Sequence, residues 1–155
     1  MGQEIERKYL INKEKWQQVN KADGHFYRQG YILTDPQKTI RVRVSDKDAW
    51  LTIKGANIGA ARPEYEYPIP KDDAEELLDK FSVAELTKIR YKVPFDNKIW
   101  EVEEFLGDNT GLIVAEIELT REDEKFELPE WVGEEVTEDE KYYNSSLSVN
   151  PYKNW

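Results

Sequence analysis

Cysteine is absent from this 155-residue chain, which excludes disulfides, thiolate metal sites and thiol nucleophiles. Histidine occurs once, at His25, so no second imidazole is available for a metal site or a catalytic pair. No apolar run approaches the roughly 20 residues that a membrane-spanning helix needs, and no signal-peptide core stands at the start. The expected location is therefore cytoplasmic, with no membrane partner. Positive charge is also scarce: 22 Lys and Arg stand against 32 Asp and Glu, a net charge of −10. That balance disfavours nucleic acid as a partner, because such binding relies on a basic surface. It leaves room for a small ligand held by a local basic cluster. Repeats, low-complexity tracts and linkers are missing too, so a single domain over residues 1–155 is expected. Aromatic residues, in contrast, are plentiful, with five Trp, nine Tyr and five Phe. A disordered acidic chain would be poor in them, so this chain folds around a core.

Alternation of polar and apolar residues predicts strands at Glu4–Ile11, Phe26–Thr34, Thr39–Ser45, Ala49–Lys54, Glu64–Ile69, Ala84–Pro94, Lys98–Phe105 and Leu112–Thr120. Asp46-Lys47-Asp48 reads as a hairpin turn and Asp35-Pro36 as a strand breaker. Pro70 opens the clearest helix, Lys71–Phe81, which carries acids in its first turn and Ala74, Leu77, Leu78 and Phe81 on one face. Asn12 reads as the cap of a short helix reaching Ala22, and further short helices are expected at Arg121–Glu127 and Asp139–Leu147. The pattern is α+β: an antiparallel sheet with helices packed outside it.

Residues i and i+2 share a face of a strand, and most of the predicted strands carry a charged pair at that spacing. The pairs are Glu4, Glu6 and Lys8; Arg41 and Arg43; Glu64 and Glu66; Lys88, Arg90 and Lys92; Glu101 and Glu103; Glu116 and Glu118. Their number is uninformative, since a chain this charged yields about ten same-sign pairs by chance. Their phase says more. Ile40, Val42 and Val44 alternate with Arg41 and Arg43, while Ala115, Ile117 and Leu119 alternate with Glu116 and Glu118. Each strand thus has one apolar face and one charged face. An antiparallel sheet wetted on one side fits this pattern. So does a sheet closed on itself with its charges inside, where basic strands facing acidic strands would suit a phosphate chain with divalent metal. Segregation of the two signs onto different strands favours the second arrangement.

Glu4-Ile5-Glu6-Arg7-Lys8 resembles the ExExK signature of the CYTH, or triphosphate tunnel metalloenzyme, superfamily. The likeness continues in order through Tyr27–Tyr31, Ile40–Arg43, Leu51–Lys54, Arg62–Glu66, Lys88–Tyr91, Trp100–Phe105, Leu112–Leu119 and the tail segments Gly133–Thr137 and Lys141–Asn144. It implies an eight-stranded antiparallel β-barrel, the triphosphate tunnel. It also implies a hydrolase of inorganic tripolyphosphate that uses Mg²⁺ or Mn²⁺. Thiamine triphosphatase and class IV-type adenylate cyclase are the alternatives within the same tunnel. No segment stands out as the base pocket a cyclase needs. A non-catalytic polyphosphate-binding module fits less well, because a binder has little use for paired glutamates.

By this resemblance Lys8, Arg41, Arg43, Lys54, Arg90 and Lys92 are expected to hold phosphate oxygens and serve catalysis, with Lys141 as a further phosphate ligand. Many relatives carry Arg at the position of Lys141, and Lys forfeits the bidentate contact. Glu4, Glu6, Glu116 and Glu118 are expected metal ligands, joined by Glu101 and Glu103. Glu64 and Glu66 either bind metal directly or hold the basic side chains from behind. Lys8 is open between two roles: crowded by cations it would lose its proton easily and act as a base; beside Glu4 and Glu6 it would stay charged and clamp phosphate. Monomer and homodimer are both compatible with the sequence.

Overall fold

The computed structural model describes residues 2–155. Its nine strands are β1 (Gln3–Ile11), β2 (His25–Leu33), β3 (Lys38–Ser45), β4 (Asp48–Gly55), β5 (Ala61–Pro68), β6 (Ala84–Phe95), β7 (Lys98–Phe105), β8 (Ile113–Glu118) and β9 (Val132–Glu135). They pair antiparallel in the order β5-β4-β3-β2-β6-β7-β8-β1-β9, and β5 returns to pair with β1. The first eight strands therefore close into a barrel, as expected from the sequence. The closing seam is short: only Gln3, Glu4 and Ile5 face Pro63, Arg62 and Ala61. The rest of that edge of β1 goes to β9, through Tyr9↔Glu135 and Ile11↔Val132.

The alternation in the sequence survives as inside and outside. Tyr9, Trp100, Val102, Ala115 and Ile117 form an outer cluster covered by Trp16 and Trp131. The Trp131 ring lies 5.3 Å from that of Trp16 and 5.8 Å from that of Trp100. Trp16 belongs to α1 (Lys13–Gln17), whose Asn12 cap accepts from the Lys15 N–H. This helix stops well short of Ala22, because Trp16 is its only buried residue and nothing beyond it prolongs an apolar face. On the other side α2 occupies Lys71–Phe81, as its pattern predicts, and presses Ala74 and Leu78 onto Val42, Val44 and Ala49. Gly30 makes this approach possible, since a Cβ there would lie 2.6 Å from Leu78 Cδ2. Phe81, at the helix end, is 58% exposed and stands outside the packed face.

Two further expected helices differ. Residues 121–123 form a turn and 124–127 are irregular; the Glu124 carboxylate accepts from the Thr120 N–H and hydroxyl and pairs with Lys98. That segment is almost wholly charged, so as a helix it would have had no stripe to bury. The Asp139–Leu147 segment divides at Tyr143, which is extended (φ −66°, ψ 139°), into a 3₁₀ turn at Glu140–Tyr142 and α3 at Asn144–Val149.

The third apolar cluster lies within the barrel, at one end. Leu86, Phe105 and Val114 share the inward phase of their strands, and with Leu112, Val136 and Tyr142 they pack around Leu147 of α3. Leu147 is fully buried. Burial of each such side chain is worth about 1.5–3 kcal/mol, so this stopper is a substantial part of what holds the barrel shut.

Candidate active site

Beyond the stopper, the lumen is a chamber of about 220 Å³ lined almost entirely by charge. Seven cations face it, Lys8, Arg41, Arg43, Lys54, Arg62, Lys88 and Arg90, together with seven carboxylates, Glu4, Glu6, Glu64, Glu66, Glu101, Glu116 and Glu118. Tyr31, Thr39, Asn144 and Ser145 complete the wall. The volume falls below the roughly 300–1,000 Å³ of pockets built for drug-sized organic ligands.

Each cation of the chamber is fixed by a carboxylate from another strand or from across the barrel. Lys54 lies 3.0 Å from Glu4 and 3.3 Å from Glu64, and Arg62 donates to Glu4 at 3.2 Å. Arg41 and Arg43 reach Glu66 at 3.3 and 3.6 Å. Arg90 spans Glu101 at 3.1 Å and Glu103 at 2.8 Å, and Lys88 meets Glu103 at 2.8 Å. Aromatic rings add a second layer of support. The Arg43 guanidinium sits 5.2 Å from the Tyr27 ring and 5.1 Å from that of Trp50, while Arg90 lies 5.1 Å from Tyr27. Even so, the Nε atoms of Arg41 and Arg43 are buried without an acceptor.

Charge is not evenly spread. Around β5, β4 and β1 the facing pairs are of opposite sign, as in Lys54↔Glu64 and Glu4↔Arg62. On β7, β8 and β1 two like-charged pairs stand directly opposite, Glu101↔Glu116 and Glu6↔Glu118. Facing carboxylates are destabilising unless something positive joins them. Burial, and then the adjacent Glu116 and Glu4, hold the Glu6 carboxyl well above the usual carboxylate range. Glu118 is raised by burial and by Glu4 and Glu101. Glu116 goes the other way: burial would raise it, but Lys8 and a hydrogen bond from Glu6 bring it well below the ordinary value. The two neighbouring carboxyls are thus pushed in opposite directions, as like charges in one site are. Among the described residues no three acidic or imidazole groups are already gathered as a metal cage. The donors on this wall are all hard oxygens, and they fit a divalent cation such as Mg²⁺ or Mn²⁺.

The lysines separate by environment. For Lys8, burial works against the charge, but Glu116, Glu6 and Glu103 outweigh it and raise the ammonium above its ordinary value. These neighbours favour the charged form of Lys8. Burial brings Lys88 down to about 7, with Glu103 opposing and Arg90 assisting the shift.

Most of the residues expected from the sequence meet in the chamber, and three do not. Lys92 continues the inward phase of β6 but projects beyond the rim, where it is exposed and does not line the cavity. Lys141 is exposed outside the barrel, its ammonium 4.5 Å from the Trp155 ring. Glu103, expected as a metal ligand, is wholly buried behind Lys88 and Arg90, both of which it holds, and does not line the chamber. Glu64 and Glu66 line the chamber while pairing with Lys54, Arg41 and Arg43. Arg62 was missed, although it stands at i−2 and i−4 from Glu64 and Glu66 on the same strand face. Tyr31, Gln29 and Asn144 were missed because a search for charged alternation is blind to neutral residues.

The sequence profile of the CYTH domain matches residues 2–151. An inorganic triphosphatase of Acetivibrio thermocellus is 47% identical over 156 residues, covering all of this chain and 99% of that protein. An inorganic triphosphatase of Nitrosomonas europaea is 34% identical, covering 95% of this chain and 97% of the other. A solved crystal structure of an inorganic triphosphatase superposes with a TM-score of 0.64 at 30% identity, over 94% of each chain.

Proposed function

The chain belongs to the CYTH domain family, and from that premise we propose that it is a divalent-metal-dependent hydrolase of inorganic tripolyphosphate. The observation that carries this reading is the chamber itself, where seven cations and seven carboxylates face a space too small for most organic ligands.

Arg41, Arg43, Lys54, Arg62 and Arg90, together with Lys8, would exchange their carboxylate partners for phosphate oxygens. Arginine forks match two phosphate oxygens at once, while the lysines act as point charges. These contacts neutralise the polyanion and hold its chain in line, which is most of what phosphoryl transfer asks of a protein. Glu6, Glu116, Glu118 and Glu101 would hold the divalent metal, Mg²⁺ or Mn²⁺, with Glu4 beside them. When bound, that ion supplies charge neutralisation at the phosphates and lowers the pKa of a coordinated water. Polyanion and cation thus each take one half of an ion-pair network that is closed without them. Their binding should be mutually reinforcing. Lys8 acts as a charged clamp, whereas Lys88, brought down to about 7, is the lysine able to give or take a proton at its Nζ.

Phosphate release from tripolyphosphate, ATP and thiamine triphosphate, each with Mg²⁺, with Mn²⁺ and with chelator, tests the proposal alongside a cyclic AMP assay. Tripolyphosphate should be split fastest, and chelation should abolish turnover. Cyclic AMP as the main product from ATP would overturn the reading.

A further inference from the structure

Lys88 sits where the chamber meets the stopper, with the Phe105 ring 5.8 Å from its Nζ and only 1% of its surface exposed. Its long side chain would sweep an arc there unless it were tied from more than one side. Glu103 on β7 ties it at 2.9 Å. A second tie comes from a different element: Lys88 Nζ donates to Asn144 Oδ1 at 2.7 Å, from the first residue of α3. Asn144 is not itself free. Its Oδ1 also accepts from Gln29 Nε2 at 3.0 Å, and Gln29 Nε2 lies 3.2 Å from the Tyr31 hydroxyl. Gln29 is fully buried on β2.

The chemistry of an amide explains the arrangement. Its two ends have the same shape and opposite polarity, so a turned Asn144 would offer an NH₂ to the ammonium and lose the bond. With two donors converging on one oxygen, only one orientation keeps both bonds. A buried ammonium also needs its acceptors, since each one lost costs more than a surface hydrogen bond.

We propose that Asn144 is a positioning residue for the hydrolysis, holding Lys88 Nζ at the inner end of the chamber, and that Gln29 fixes the orientation of its amide. The inference takes its reaction from the triphosphatase reading and adds residues that act through Lys88. It is tested by a double-mutant cycle between Asn144→Ala and Lys88→Met, run on tripolyphosphate turnover with Mg²⁺ and on metal-free tripolyphosphate affinity by calorimetry. Melting curves confirm that each variant is folded. In the parent background Asn144→Ala should weaken the readouts about tenfold or more. In the Lys88→Met background it should have no further effect, because the group it positions is gone. Gln29→Leu, close in size, should give a smaller loss that Lys88→Met likewise masks, and it serves if Asn144→Ala does not fold.

Equal losses in both backgrounds would mean that Asn144 merely seats α3 and would overturn the inference, as would no loss at all. The two proposals fail separately. A parent protein that binds tripolyphosphate without splitting it ends the triphosphatase reading, while the affinity cycle still decides the role of Asn144. Neither binding nor turnover would end both.

Discussion

Along the inward phase of β7, Glu101 lines the charged chamber, Glu103 braces its cations from behind and Phe105 lies in the apolar stopper. On β1 the same change falls between Lys8 and Leu10, on β8 between Glu116 and Val114, and on β6 between Lys88 and Leu86. One set of strands therefore builds two interiors. The stopper is ordinary core: apolar, closed and favourable to fold. The chamber is the reverse, since ion pairs taken out of water recover their desolvation cost poorly and facing glutamates recover none of it. What the chamber gives up in stability it keeps as an unsatisfied capacity for ligands of both signs.

This contrast can be broken most sharply at Glu6. Glu6→Gln should lower tripolyphosphate turnover by on the order of 100- to 1,000-fold, through loss of a metal donor in the transition state. Its melting temperature without metal should hold or rise, because a buried carboxyl that burial, Glu116 and Glu4 force to keep its proton is replaced by a neutral amide. A large loss of stability would mean that the chamber is core after all.

Leu86→Ala tests the other end. It should destabilise the fold by about 2–5 kcal/mol in denaturant titration, while turnover per folded molecule stays close to that of the parent.

Acid should separate the halves too. Burial would raise the Glu4 carboxyl, but Lys54, Arg62 and a hydrogen bond with Glu64 bring it to about 2 in the folded protein. The folded state thus releases this proton more readily than the unfolded chain. Glu4 contributes stability above its unfolded value near 4.5, and that contribution is lost as pH falls from there towards 2. Glu4→Gln should flatten the stability-versus-pH curve over that window, and Leu86→Ala should shift the curve without changing its shape.

The smallest effects are expected just outside the chamber. Lys92→Ala and Lys141→Ala should leave turnover essentially unchanged, which a side-by-side rate assay reads directly. A marked loss from Lys92→Ala would extend the chamber past the rim.

The fold was legible in the sequence where periodicity alone decides it. Strand alternation with a period of two marked the barrel walls, and the clean stripe of α2 placed that helix to the residue. Periodicity says nothing about where a wall ends: Lys92 continues the phase of Lys88 and Arg90, yet the cavity stops at Arg90. It is equally silent on depth: Glu101 and Glu103 share a face, yet one borders the chamber and the other lies behind two cations. The charge state of Lys8 depends on the sum of surrounding charges, which only the closed barrel brings together. Asn144 and Gln29, neutral and 115 residues apart, leave no mark on a charge pattern.

The short seam between β1 and β5 has a consequence for how the protein comes into being. As the chain emerges from the ribosome, β1 has no neighbour until Ala61–Pro63 arrive to pair with its beginning, and it waits for Val114–Glu118 and then Val132–Glu135 to cover the remainder. Such distant pairings make for slow assembly, with a bare strand edge in the meantime. Glu4, Glu6 and Lys8 ride on that strand. The cavity therefore comes into existence only when β5 and β8 close around β1.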